Sequence, residues 1–137
     1  MVASESVSTV EGVSRPVVVV VEDVVLVRLL IADALRARGF EVIEAADGAE
    51  AVRALEAELP VQLVLSDIHM PGAAMNGIDL ARWVQAHRPG LPVVLGSGVY
   101  SELASADANL CRGPLLLKPY NFDAVEKRLR AALERTS

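Results

Sequence analysis

The sequence holds one cysteine, Cys111. No internal disulfide framework can form from it, and a free cysteine of this kind reads as a small buried hydrophobe. Lysine is nearly as scarce: two lysines stand beside eleven arginines. There is no basic run or basic tail, and the formal net charge is −5, which disfavours direct nucleic-acid binding. No apolar run approaches the roughly 18–20 residues of a membrane span. The valine run Val17–Val21 is too short for a secretory signal core, and only Arg15 precedes it as a basic residue. These absences exclude a disulfide-stapled secreted module, a membrane span and a polycationic binder. A cytoplasmic protein without a membrane partner is the expectation.

What is present is a single domain's worth of apolar material, 53% of 137 residues. Residues 1–15 are rich in Ser, Glu and Val without a clear period and read as a mobile leader. Residues 16–137 read as one domain. Val17–Val21 is a continuous β-branched run, the mark of a strand buried on both faces. Val27, Leu30, Ile31, Ala34 and Leu35 then fall at helical spacing and predict an inner stripe, closed by Gly39. A strand over 40–45 follows. Asp47 with Glu50 predicts a helix start, Val52, Leu55 and Leu59 its inner face, and Pro60 its end. A strand over 61–66 leads to a loop holding Pro71 and Gly72. Asn76 predicts a cap for a third helix facing inward through Gly77, Leu80, Ala81 and Val84. A strand over 91–95, a weak helix over 100–110, a strand over 115–117 and a helix capped by Asn121 complete the chain. Phe122, Val125, Leu129 and Ala132 line the last helix. Five β–α units in alternation predict a doubly wound α/β fold with a five-stranded parallel sheet.

Ligands of such sheets bind at the carboxyl ends of the strands. Glu22 and Asp23 follow the first strand, Asp67 the third, Ser97 the fourth and Lys118 the fifth. Three carboxylates in one pocket repel one another, and Lys118 offsets only one of them. A divalent cation resolves the remainder. The donors are hard oxygens, which suit Mg²⁺ rather than zinc. A carboxylate can attack phosphorus and form an acyl phosphate, while Lys118 and the metal neutralise the transferring oxygens and Ser97 hydrogen-bonds one of them.

The motifs V-V-V-V-V-E-D, L-V-L-S-D-I-H-M-P-G, L-P-V-V-L-G-S-G and L-L-L-K-P-Y, in this order over residues 16–134, resemble the response-regulator receiver family, the CheY-like domains. The resemblance implies the flavodoxin-like (β/α)5 fold with strand order 2-1-3-4-5. It implies Asp67 as phosphoacceptor, and Glu22, Asp23, Asp67 and the backbone carbonyl of His69 as the Mg²⁺ set. Ser97 is implied as the switch hydroxyl and Lys118 as the phosphoryl-contacting lysine, with a cis bond to Pro119. The donor it implies is a histidine kinase or histidine phosphotransfer protein in a phosphorelay. Such a domain is not an enzyme beyond its own phosphorylation and dephosphorylation, and its output is protein–protein contact or phosphate relay.

Two departures stand out. The segment M-P-G-A-A-M-N-G is longer than the usual form and sets Gly77 ten residues past Asp67. The family's aromatic three residues before the lysine is Leu115 here, leaving Tyr100 as the nearest substitute in the switch. Both, with L-G-S-G and K-P-Y, are similar to the receivers of hybrid histidine kinases and their stand-alone relatives.

Each residue also has a blander role. Asp67 alone reads as a cap or loop charge, Glu22 and Asp23 as complements to a helix dipole, Ser97 as a turn residue, and Lys118 as a surface lysine. All four would have to hold at four matching strand ends. The His69 side chain suits screening of the site. His87 reads as a solvated helix-end residue and Trp83 as half-buried. Val25 and Leu29, stacked opposite the inner stripe of the first helix, are candidates for docking a helical partner. A phosphorylation-independent pseudo-receiver is the alternative. A phosphatase of the haloacid-dehalogenase class is disfavoured, because His69 stands where its second Asp belongs.

Overall fold

The computed structural model describes residues 9–10, 13–57, 59–98 and 116–134. Tyr100, Cys111, Leu115 and the helix expected over 100–110 lie outside the described residues. Five strands, β1 (Val17–Val21), β2 (Glu41–Ala45), β3 (Leu63–Asp67), β4 (Val93–Ser97) and β5 (Leu116–Leu117), form one parallel sheet in the order β2-β1-β3-β4-β5. The described helices are α1 (Val25–Ala37), α2 (Gly48–Glu56), α3 (Gly77–His87) and α4 (Phe122–Glu134).

The β1 run feeds two cores at once. Val17, Val19 and Val21 pack with Leu55, Leu80 and Val84 under α2 and α3. Val18 and Val20 face the other way, onto Ile31, Leu35 and Leu129 of α1 and α4. Successive side chains of a strand alternate between faces, so a strand covered on both sides must be apolar throughout. Each such buried valine or leucine contributes roughly 1.5–3 kcal/mol.

The predicted caps are in place. Asp47 accepts from the Glu50 N–H at 2.9 Å, and Glu50 reaches back to the Ala46 N–H at 2.8 Å. Asn76 and Asp79 form a full capping box. Asn121 accepts from the Ala124 N–H at 3.1 Å. Gly39 ends α1 at φ +94°, a left-handed turn that lets the Phe40 N–H return to the Leu35 carbonyl at 3.1 Å.

Two expectations need correction. Leu30 is not part of the inner stripe of α1; it is 60% exposed, and Val27, Ile31, Ala32 and Leu35 face the sheet. On the same helix Arg28 bonds the Glu22 carbonyl at 2.9 Å and Glu44 at 3.3 Å. α2 stops at Glu56, and Leu59 beyond it is 40% exposed. Thr9–Val10 pairs antiparallel with Val13–Ser14, a ladder too short to show a period.

Candidate functional site

Parallel pairing lines up the strand ends. β3 and β4 end on Asp67 and Ser97 themselves, Glu22 and Asp23 follow β1, and Lys118 follows β5. Asp67 pairs with Gly96 and Ser97 with Leu117, so four strands deliver their last residues to one place. The Lys118 N–H donates to the Ser97 carbonyl at 3.0 Å, and the Lys118–Pro119 bond is cis, as the resemblance implied.

The side chains converge. Lys118 Nζ lies 2.7 Å from Glu22 Oε1 and 3.1 Å from Asp67 Oδ2. Glu22 is 1% exposed and Asp67 6%, while Asp23 is half-buried and nearer to water. Carboxylate oxygens of Glu22, Asp23 and Asp67 all lie within 4.8 Å of one another. The Val24 N–H donates to Glu22 Oε2 at 3.3 Å, and the His69 N–H donates to Asp67 Oδ1 at 3.4 Å. Ser97 is fully buried, and the His69 side chain is exposed at the rim.

Burial raises the Glu22 carboxyl, the hydrogen bond from Lys118 opposes that rise, and the Asp67 charge adds to it. Asp67 is likewise raised by burial, against the charge and hydrogen bond of Lys118. Burial works to lower the Lys118 ammonium, but the Glu22 hydrogen bond and the Asp67 charge outweigh it, so its pKa is raised. Lys118 is thus held charged between two carboxylates that resist charge. The donor set is all oxygen and carries more negative charge than one ammonium balances, which fits a hard divalent cation.

The segment after Asp67 brings the start of α3 back against Asp67 and Ile68. Gly77 N donates to the Ile68 carbonyl at 3.2 Å, and a Cβ on Gly77 would meet the Asp67 carbonyl group and lie 2.9 Å from Ile68 Cα. Before α3 the Met75 carbonyl accepts from the Gly48 N–H at 3.2 Å. The loop after Asp67 is therefore tied to the start of α2.

Two residues beside the site were not singled out by the sequence. Arg28 braces the Glu22 carbonyl; a helix-face arginine carries no signal of that. Tyr120 lies with its phenol against Gly96, and its ring centroid is 5.9 Å from Lys118 Nζ. The only signal for it was an aromatic in K-P-Y together with a glycine before Ser97. Of the docking candidates, Val25 is 54% exposed and Leu29 43%, with Leu26 and Leu30 exposed beside them.

A model of the response regulator receiver domain matches residues 18–130. The chain belongs to that family. This receiver domain is 33% identical over 122 residues to the probable transcriptional regulatory protein TcrX of Mycobacterium tuberculosis, a match covering 87% of this chain and 50% of TcrX. It is 32% identical over 119 residues to the transcriptional regulatory protein PdtaR of the same species, covering 86% and 57%. The receiver thus spans about half the length of these curated relatives. Among solved structures, the receiver domain of NtrX from Brucella abortus superimposes with TM-score 0.78 at 31% identity, covering 85% of this chain and 98% of that one. A CheY-like receiver domain protein from Methanospirillum hungatei gives TM-score 0.79 at 25% identity, covering 90% and 97%. Among the described residues no helix is long and apolar enough to cross a membrane.

Proposed function

We propose that this receiver works as a phosphorylation switch in two-component signalling, with Asp67 as the acceptor. The observation that carries the reading is the placement of Asp67 Oδ2 3.1 Å from Lys118 Nζ, inside the 4.8 Å cluster formed with Glu22 and Asp23. Asp67 attacks phosphorus, a P–O bond forms on its carboxylate, and the P–N bond of a donor phosphohistidine breaks. Lys118 faces the oxygens on which charge gathers and moves from its Glu22 contact toward them. Ser97 offers its hydroxyl to a phosphoryl oxygen. Glu22, Asp23, Asp67 and the His69 carbonyl would hold Mg²⁺, which supplies charge neutralisation for the incoming phosphoryl group. The domain turns over no substrate of its own beyond gaining and losing this phosphoryl group.

The donor is a histidine kinase or histidine phosphotransfer protein, and Val25 and Leu29 on the open face of α1 are where its helix docks. Output passes through protein contact or onward phosphate relay. The relatives' names speak of transcriptional regulation, and this chain's acidic composition disfavours direct nucleic-acid contact by the receiver itself.

Incubation with acetyl phosphate and Mg²⁺ tests the reading by intact mass. One phosphoryl group should appear on the wild type, none on Asp67→Asn, and none when the metal is chelated. A wild type that gains nothing would leave a phosphorylation-independent interaction module instead.

A further inference from the structure

An open apolar groove of about 480 Å³ lies between α1 and the turn after β5, beside the acidic cluster. Val27, Leu30 and Ile31 form one wall, and Pro119, Tyr120 and Phe122 the other. Tyr120 lines this groove and lies beside the acidic cluster, its ring centroid 5.9 Å from Lys118 Nζ. Gly96 stands next to Asp67 in the sheet, and both project from the same face because they are paired. A Cβ on Gly96 would run into the Tyr120 hydroxyl and lie 2.8 Å from Cζ and 3.0 Å from Cε1. The phenol therefore fills the place that a side chain at 96 would otherwise take. Burial, then the charges of Asp67 and Glu22, push the phenol up, in keeping with its place beside those carboxylates.

We propose that Tyr120 is a positioning residue that transmits the state of Asp67 to the α1 groove, with Gly96 supplying the slot its phenol occupies. The inference rests on the phosphoacceptor reading above. A phosphoryl group adds roughly one to two negative charges and three acceptor oxygens at Asp67. Lys118 leaves Glu22 to meet them, and Tyr120, two residues on and 5.9 Å from the ammonium, shares its short turn. A rigid ring in a fitted slot has few intermediate positions, so its displacement is stepwise and moves the groove wall with it.

The test uses beryllium fluoride with Mg²⁺ as a phosphoryl analogue. Tyr100→Phe leaves Tyr120 as the single tyrosine, and 3-fluorotyrosine incorporated there reports by ¹⁹F NMR. Saturation should shift that resonance, and in the wild type should also shift the methyl signals of Val27, Leu30 and Ile31. In Tyr120→Leu the analogue should still saturate the site while the groove methyl shifts are lost. Gly96→Ala should shift the ¹⁹F resonance in the analogue-free protein. Unchanged groove shifts in Tyr120→Leu, or a silent Tyr120 in a protein that binds the analogue, overturn the inference alone. A wild type that does not bind the analogue overturns it together with the phosphoacceptor reading.

Discussion

Asp67 and Lys118 sit 3.1 Å apart, yet removing one should have the opposite effect on stability from removing the other. Folding raises the Asp67 pKa, chiefly by burial, so the folded chain binds that proton more tightly than the unfolded chain does. The penalty for ionising Asp67 is absent below the ordinary carboxylate value, grows as pH rises through it, and is complete above the raised one. Asp67→Asn should therefore stabilise the protein at neutral pH by about 1 kcal/mol, since Lys118 keeps Glu22 as its partner. The gain should shrink as pH falls toward about 4, where the wild-type carboxyl takes up its own proton. Lys118→Met should instead cost about 3 kcal/mol, because it strands Glu22, 1% exposed, beside Asp67. Urea midpoints across this pH range check both signs. The acids, hydroxyl and lysine were legible in the sequence because their chemistry is in the residue type. Tyr120 was not, because its meaning depends on a side chain that Gly96 lacks.

Between β3 and α3 Gly77 stands ten residues past Asp67, and the helix starts directly against Asp67. Gly77 allows this: a Cβ there would lie 2.9 Å from the Asp67 carbonyl carbon and from Ile68 Cα, both backbone atoms that cannot yield. Gly77→Ala should cost about 2–3 kcal/mol and slow phosphorylation by acetyl phosphate, measurable by denaturant titration and intact mass. The length of the segment was visible in the sequence, but not its tether from Met75 to Gly48. α1 shows a different limit. Helical spacing placed Leu30 inward, yet Leu30 lines the groove, while Arg28 of the same helix bonds the Glu22 carbonyl and the Glu44 side chain. A one-dimensional period carries no information about such a cross-element pair. The apolar face that results, with Leu26 at 78% exposure, is larger than Val25 and Leu29 alone suggested. Leu29→Asp should slow phosphotransfer from a phosphorylated histidine phosphotransfer domain several-fold, by roughly 1 kcal/mol of lost docking energy. Its phosphorylation by acetyl phosphate should be unchanged, and parallel rate measurements with the two donors decide it.

The architecture follows from β-branched runs alternating with helical stripes, and both patterns are plain in the residue order. Strand order is not; periodicity does not say which strand lies beside which, and the order came only through the family resemblance. That order puts β1 and β3 side by side at the centre, with β4 and β5 beyond, so residues nearly a hundred positions apart, Glu22 and Lys118, meet at 2.7 Å. Two half-cores hold the sheet rigid from both faces, and the polar cluster sits where the sheet ends. The buried core around such a site offsets its cost in stability. The most direct measurement is borohydride trapping after acetyl phosphate and Mg²⁺, followed by peptide mass mapping, since the reductant converts an aspartyl phosphate to homoserine. Homoserine at position 67 and nowhere else is the predicted result. Homoserine at Asp23, or a peptide map with no reduced residue, would rule out Asp67 as the residue that takes the phosphoryl group.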